Sequence, residues 1–311
     1  MSRHFRELSV AAALLVVLVA LALVAPGFYQ PQPLLSLAAR EAPTLVVACG
    51  MALVIICRHI DISVGSQFAV CSVAAGLLAA SGWPTPLVAL AAVSFGAALG
   101  AINGVLVAGL RLPSIVVTLA TMVTWREALR WQRQGAFVNL PDQVQWLGLG
   151  QRAGQWALVG AALVLLVVLA LAMRRLAAGR YVYAVGSDAE AARLAGIRPQ
   201  LVTFNTFLLM GALTGLAAMM NVAQSPQVDP KSGTGLELKA IAAVVVGGVA
   251  ISGGRGNLWG VFAGLVLLAC VAPALTHLHV EAYWEKAIQG AIILLAVVAD
   301  GVRSRRAKSE R

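Results

Sequence analysis

The sequence has 311 residues, of which 60% are hydrophobic and 12% are charged, and its mean hydropathy is +0.85. A soluble domain carries about 25% charged residues, so this composition excludes a chain that folds mainly in water. The net charge of +10 does not indicate a nucleic-acid partner, because many basic residues stand at the ends of apolar stretches, as in membrane proteins. The four cysteines lie inside apolar runs and indicate buried hydrophobic positions rather than disulfides.

Apolar stretches recur along the whole chain, and a membrane-spanning helix needs about 20 apolar residues. We predict ten spans, at 8–25, 43–57, 62–81, 86–110, 113–125, 155–173, 201–221, 238–252, 258–275 and 283–302. The first is longer than the apolar core of a signal peptide and no A-x-A cleavage site follows it, so we expect it to be retained. The sequence therefore predicts an all-α, polytopic membrane bundle of about ten helices, forming a single domain over 1–311.

Basic residues predict the orientation of these spans. Ten spans place three basic clusters on one side of the membrane, which is the cytoplasmic side by the positive-inside rule. The clusters are Arg3 and Arg6; Arg174, Arg175, Arg180, Arg193 and Arg198; and Arg303, Arg305, Arg306, Lys308 and Arg311. We therefore expect cytoplasmic N and C termini, a cytoplasmic loop at 174–200 and a basic cytoplasmic tail at 303–311.

One basic group falls on the opposite, outer side of this topology. It consists of Arg126, Arg130, Arg133 and Arg152. We slightly favour a role in docking an acidic partner outside the membrane. The alternative is that these are interfacial arginines whose aliphatic stems lie along apolar surface.

Small residues and helix breaks mark how the spans are arranged. Glycines recur at four-residue spacing at Gly96, Gly100 and Gly104, at Gly211 and Gly215, and at Gly256, Gly260 and Gly264, which predicts close helix packing. Two segments, ICRHIDISVGS at 56–66 and VVGGVAISGGRG at 245–256, join apolar runs through a polar or glycine-rich break. Paired breaks point to a transport path, although the predicted topology gives both the same orientation, which does not fit an inverted repeat.

The first break contains an acidic residue, Asp61, followed by Ser63 and Gly65. The favoured interpretation is a polar turn in which Asp61 caps the next helix and pairs with Arg58. The alternative is an ion or proton site, because a carboxylate inside a membrane is costly and usually functional.

A short polar helix is predicted in the 174–200 loop. Ser187 and Glu190 have the S-x-x-E spacing of a capping box, and Asp188 places a negative charge in the first turn. Gly196 suits a left-handed C-terminal cap and Pro199 prevents continuation. The helix would have about two turns and an apolar face of Ala191, Ala192, Leu194 and Ala195. A helix this short is marginal alone, so we expect a partner surface against it.

The remaining polar residues within spans are neutral, and the candidates for lining a path are Asn103, Thr118, Thr121, Asn205 and Thr206. Hydrogen bonding between helices is the equally plausible role for each one taken singly. The chain has no ATP-binding loop and no nucleophile motif, so we do not expect an enzyme or a bound cofactor. We expect no metal site either, because His277, His279 and Glu281 have no further ligand nearby in the sequence.

Four stretches resemble a known family. They are HIDISVGS at 59–66, the segment at 113–126 that opens with PSIVVTLATM, GRYVYAVGSDAEAARLAGI at 179–197, and LELKAIAAVVVGGVAISGGRGNLWG at 236–260. These are similar to permease subunits of bacterial carbohydrate importers of the ATP-binding-cassette (ABC) type, in the branch that includes ribose, arabinose, rhamnose and autoinducer-2 systems. The sequence departs from the family at Arg58 and His59, where Gly-Gly is usual.

The resemblance implies a permease that imports a sugar, such as a rhamnose-like monosaccharide, across the bacterial inner membrane. Its partners would be a second permease subunit, identical or similar, a periplasmic sugar-binding protein and an ATPase subunit, which would use ATP and Mg²⁺. It also implies that the short helix is a coupling helix held by the ATPase, with Ser187, Asp188, Glu190, Ala191, Ala192, Arg193, Leu194 and Gly196 as its residues. The competing class is an ion-coupled secondary transporter of a small neutral solute, for which Asp61 and Glu237 are the candidate ion-binding acids.

Overall fold

The computed structural model describes residues 26–277 and, beyond them, single helical positions at 15, 19, 284, 287, 288, 290, 291 and 294. Apart from those positions, the predicted spans 8–25 and 283–302 lie outside the described residues. The same is true of the basic residues of both termini, the 303–311 tail, His279 and Glu281.

Helices dominate the described part of the chain. They are α1 (Pro31–Ile56), α2 (Val64–Ala80), α3 (Thr85–Gly104), α4 (Ser114–Arg133), α5 (Gln151–Arg175), α6 (Ala177–Ser187), α7 (Ala189–Leu194), α8 (Pro199–Val222), α9 (Leu236–Val246), α10 (Leu258–Ala269) and α11 (Val271–His277). A π-helical turn, Val105–Gly109, continues α3. Two short strands, β1 (Val138–Asn139) and β2 (Gln227–Val228), pair antiparallel.

Five of the described helical stretches are long and apolar enough to cross a membrane. They are Pro31–Ile56, Thr85–Gly109, Gln151–Arg175, Pro199–Val222 and Leu258–Leu275, and α2 is apolar but shorter. The predicted spans 86–110, 155–173, 201–221 and 258–275 fall on four of these stretches, and 62–81 falls on α2. The apolar pattern therefore located these helices correctly.

The prediction of a short span at 43–57 is wrong, because α1 begins twelve residues earlier at Pro31 and contains Pro43 in its interior. Arg40 and Glu41 stand just before the predicted span in the sequence. In the structure Lys239 of α9 donates to Glu41 at 2.7 Å, so this charge has a partner inside the bundle. Every residue from 42 to 56 is buried, and α1 packs against α5, α8, α9 and α10. A helix that is apolar on all sides is expected at the centre of such a bundle.

The glycine repeats bring α3 and α8 together, as predicted. A Cβ added at Gly96 would meet the carbonyl oxygen of Gly211, and one added at Gly211 would meet that of Gly96. Gly100 lies in the same way against the carbonyl oxygen of Phe207. The two helices are thus in contact backbone to backbone, which only residues without a side chain permit.

Two other predicted spans have different ends in the structure. The span predicted at 113–125 continues as α4 to Arg133, so its three arginines lie on a helix and not in a loop. The span predicted at 238–252 ends at Val246 because glycines follow, Gly248 with a φ of +88° that favours glycine. Residues 247–257 then form a non-helical connection to α10.

The predicted loop at 174–200 holds two consecutive helices, α6 and α7, between the ends of α5 and α8. At the opposite end of the bundle, β1 and β2 form a short antiparallel pair, which packs on Gly76 of α2 through Val138 and Val228.

Candidate functional site

The two breaks that the sequence pairs are in direct contact. We call 56–63, from the last residue of α1 to the start of α2, the first break, and 247–257, between α9 and α10, the second break. The backbone N–H of Gly254 in the second break donates to the carbonyl of Ile56, the last residue of α1, at 2.8 Å. Added Cβ atoms at Gly253 and Gly256 would meet Arg58 and Ile56, so the breaks are packed without space between them.

The end of α6 completes this junction. A Cβ at Gly186 would lie against the carbonyl of Ile56 and the amide nitrogen of Gly254, so Gly186 touches both breaks at once. The hydroxyl of Tyr183, one turn earlier, donates to the carbonyl of Gly256 at 2.9 Å. Burial raises the pKa of the Tyr183 phenol, so it remains a neutral donor at physiological pH. The end of α6, which lies outside the predicted spans, therefore contacts both breaks. The sequence did not predict this contact.

The short helix α7 follows immediately, but its cap differs from the predicted one. Ser187 is the last residue of α6, and Asp188 is the N-cap of α7: its carboxylate accepts from the N–H groups of Glu190 at 2.9 Å and Ala191 at 3.0 Å. The capping box is therefore wrong. Asp188 is preferred because its carboxylate also complements the helix dipole. Gly196 has a φ of +83°, which confirms the left-handed C-terminal cap.

The exposed side of α7 is mixed in character. Glu190 does not reach back to a cap; it accepts instead from the guanidinium of Arg193. This hydrogen bond and the charge of Arg193 hold the pKa of the Glu190 carboxyl below its usual range. Of the predicted apolar face, Ala192 alone is buried, against Cys57 and Val185, whereas Leu194 is 78% exposed. The outward surface of α7 is therefore exposed in the isolated chain.

Asp61 lies at the centre of a buried polar cluster. It is fully buried, and it accepts from the N–H of Ser63 at 3.0 Å, from the Ser63 hydroxyl, and from Nε2 of Gln67 at 3.2 Å. The predicted cap and ion pair are both wrong. Ser63 is the N-cap of α2, and Arg58 is exposed, with a φ of +71°. That left-handed conformation favours glycine, which accounts for the Gly that the resembling family places here.

Three of the five predicted path residues belong to this cluster. Nδ2 of Asn103 donates to Ser63 Oγ at 2.8 Å, and the hydroxyl of Thr121 donates to Asn103 Oδ1 at 3.0 Å. The hydroxyl of Thr118 donates to the carbonyls of Ser114 at 2.9 Å and Ile60 at 3.4 Å. The cluster thus links the first break to α2, α3 and α4, and its members largely satisfy one another.

The other two predicted path residues stand apart, on α8. Asn205 is exposed, and Thr206 donates to the carbonyl of Val202 on its own helix at 2.8 Å.

The four outer arginines do not form one patch. Arg126 and Arg130 line a pocket of about 690 Å³ between α4, α2 and the 230–234 loop. Arg133 donates to the carbonyls of Ala136 and Phe137 beyond its helix, at 3.2 and 3.3 Å, and Arg152 is exposed at the start of α5.

Among the described residues, six buried side-chain atoms have no hydrogen-bond partner: Glu41 Oε2, Gln67 Oε1, Ser72 Oγ, Arg126 Nη2, Ser232 Oγ and Glu237 Oε2. Glu237, in the first turn of α9, is 7% exposed, and its Oε2 accepts no hydrogen bond. Gln67 is fully buried; it donates to Asp61 and Ser63, but its Oε1 accepts nothing. Gln67 is not among the site residues predicted from the sequence, where its only signal is its spacing of four residues from Ser63.

Comparison with known proteins identifies the family. Residues 34–297 match the family described as "Branched-chain amino acid transport system / permease component". The autoinducer 2 import system permease protein LsrC of Enterobacter sp. (strain 638) is 36% identical over 297 residues, covering 95% of this chain and 87% of the relative. The protein of the same name from Escherichia coli (strain K12 / DH10B) is 34% identical over 289 residues, covering 91% and 84%. The one from Salmonella typhi is 34% identical over 258 residues, covering 83% and 74%. No solved structure matches the chain.

Proposed function

Because this chain belongs to the family of branched-chain amino acid transport system permease components, we propose that it is the membrane subunit of an ATP-driven (ABC) importer of a sugar-like solute. The relatives are named for autoinducer 2 import, which favours autoinducer 2 or a similar small hydroxyl-rich molecule over a rhamnose-like monosaccharide. The ion-coupled alternative is not favoured, since neither the family nor these relatives are described in that way.

The proposed topology follows from the basic clusters. Ten spans cross the bacterial inner membrane, both termini and the 303–311 tail are cytoplasmic, and the 174–200 loop with α6 and α7 is cytoplasmic too. The contact of α6 with both breaks supports this arrangement, because Ile56 and Gly254 then lie at the same membrane face.

The chain works with partners in this proposal. A separate ATPase subunit hydrolyses ATP with Mg²⁺, a periplasmic binding protein delivers the solute, and a second permease subunit completes the path. In this proposal Arg126 and Arg130 dock an acidic surface of the binding protein at the outer pocket, although Arg126 Nη2 is buried and Arg130 already pairs with Glu127 at 3.5 Å. Arg152 is exposed as well, whereas the guanidinium of Arg133 is engaged with its own loop.

The observation that carries the proposal is the junction of α6 with the two breaks. When the ATPase grips α7 through Leu194 and its neighbours, movement of α7 passes to Gly186 and Tyr183, and from them to Ile56 and Gly256. Helix breaks can change their backbone angles at a lower free-energy cost than continuous helices. Movement of α7 would therefore be transmitted to the segments of the bundle that deform most easily. Closure of the ATPase would thus alter access within the bundle.

Proteoliposomes that contain this chain with its ATPase and binding-protein partners test the proposal. We expect uptake of labelled autoinducer 2 to require ATP, and Leu194→Asp on α7 to weaken ATPase binding at least ten-fold by placing a charge on the apolar contact. Leu149→Asp, at an exposed leucine in the predicted outer loop, is the matched control and leaves both unchanged. Uptake that persists without ATP and collapses with an ion gradient would overturn the proposal and restore the ion-coupled class.

A further inference from the structure

Two helices begin at one place deep in the bundle. Gly65, in the first turn of α2, and Gly233, just before α9, are in contact: a Cβ at either glycine would meet the carbonyl oxygen of the other. Gly76 of α2, which touches the β1–β2 pair, lies eleven residues further along the helix, or about 16 Å. The two N-termini therefore meet well below the surface that carries the strands. Helix N-termini directed at a common point are typical of solute sites in transporters with interrupted helices.

Glu237 is directed into this meeting point. A Cβ at Gly65 would meet Glu237 Oε2, the buried oxygen that accepts no hydrogen bond, together with the carbonyl of Gly233. Gln67, two residues along α2, is about 200° away around the helix, and its amide is bonded to Asp61 and Ser63 instead. Buried acceptors without partners are uncommon in folded proteins, so Glu237 Oε2 is open to an external donor.

The meeting point has an approach from the outer pocket. That pocket is lined by Ala69 of α2, one turn from Gly65, and by the 230–234 loop that includes Gly233. The Phe68 ring lies against Gly233 and is 5% exposed, so it packs on the loop that borders the pocket. Among the described residues, unpaired buried polar atoms lie in the pocket wall, at Arg126 Nη2 and Ser232 Oγ, as well as at Glu237 Oε2.

We infer that Glu237 is a binding site for a hydroxyl group of a neutral, hydroxyl-rich solute, reached when Phe68 and Gly233 separate. The free oxygen of the Glu237 carboxylate accepts hydrogen bonds, so the ligand must donate. A cation is disfavoured because both helix N-termini already offset the charge of Glu237, and Arg126, Arg130 and Lys231 surround the approach with only Glu127 opposing them. This inference rests on the proposed function, whose solute it specifies by chemical class.

Transport measurements on the full complex test the site. In proteoliposomes with the ATPase and binding protein, we expect Glu237→Leu to lower kcat/KM for autoinducer 2 uptake at least ten-fold. ATP hydrolysis without solute should stay within two-fold of wild type, since the junction at α6 is untouched. Asp142→Asn, an exposed acid whose carboxylate accepts from Gln145 in the predicted outer loop, is the control and should match wild type.

A spectroscopic measurement distinguishes loss of solute binding from a folding defect in Glu237→Leu. Infrared difference spectra of the wild-type complex should show a carboxylate band that shifts when autoinducer 2 is added, and Glu237→Gln should lack this band. No shift with autoinducer 2, or a shift produced by sodium ions instead, would overturn the inference.

The two proposals fail differently. Wild-type import that needs no ATP defeats the proposed function, whereas ATP-driven import by Glu237→Leu at the wild-type rate defeats only the site.

Discussion

The two helix breaks meet at one hydrogen bond, yet they are held by different means. The first break is fixed by side chains: Asp61 and Ser63 join Gln67 and Asn103 in a buried cluster. The second break is fixed by backbone contacts, with glycines such as Gly254 packed against neighbouring main chain. Polar side chains thus anchor the first break to the helices around it, whereas the second break depends on glycines that have no side chain. We therefore expect the two to fail under different substitutions.

The largest effect is expected in the second break, from Gly254→Ala. Gly254 has a φ of +70°, and a Cβ there would collide with Ser187 at the end of α6. Strain and overpacking together should lower the free energy of unfolding by about 4 kcal/mol. Gly82→Ala is the matched control, because Gly82 also has a positive φ, of +83°, but no atom within 4 Å of the added Cβ. Thermal unfolding in detergent measures both, and equal losses would show that contact with α6 is unimportant.

In the first break, Asp61→Leu should be the most damaging change. It leaves the donors of Ser63 and Gln67 without an acceptor inside the bundle, at a cost of about 3 kcal/mol. Asp61→Asn keeps one acceptor oxygen and should cost about 1 kcal/mol. Chemical unfolding of purified protein gives both values, and a Leu variant as stable as wild type would contradict the side-chain account of this break.

A smaller change at the contact between α6 and the second break is Tyr183→Phe. It removes one hydroxyl hydrogen bond, to the carbonyl of Gly256, and should cost about 1 kcal/mol while leaving the ring in place. We expect ATP hydrolysis to become partly uncoupled from uptake, measured as ATP consumed per solute imported. Tyr181→Phe, at an exposed tyrosine of the same helix, should change neither quantity.

The smallest effect should be a gain, from Arg58→Gly. Arg58 holds a φ of +71° in the first break, and glycine adopts this conformation without a Cβ penalty. Part of that gain is lost to the greater freedom of glycine in the unfolded chain, so we expect a net stabilisation of about 0.5 kcal/mol. A rise in the unfolding midpoint would show it, and a fall would mean that the Arg58 side chain makes a contribution of its own.

The fold could be predicted from the sequence where apolar periodicity and length decide, as in the helices around 86–110 and 201–221. It could not be predicted where a charge is neutralised by a distant residue. Glu41 lies inside α1 but outside the predicted span, and its partner, Lys239, is 198 positions away in the chain. The early end of the span at Val246 was likewise hidden, because glycines continue an apolar pattern without continuing a helix.

The candidate site was predicted in its parts but not in its connections. Gly196 and the position of α7 followed from local capping rules, but those rules predicted Ser187 as the N-cap, and Asp188 is the one used. The contact of Gly186 with both breaks is a tertiary contact between segments far apart in the chain. A glycine in the sequence does not indicate which segment packs against it. The burial of Asp61 was missed because the sequence places it at a span end.

The glycine contacts between α3 and α8 set a mechanical limit on this molecule. With the backbones of Gly96 and Gly211 touching, neither helix can slide or turn past the other without collision. The two helices therefore form one rigid unit. Any conformational change during transport has to occur in other parts of the bundle.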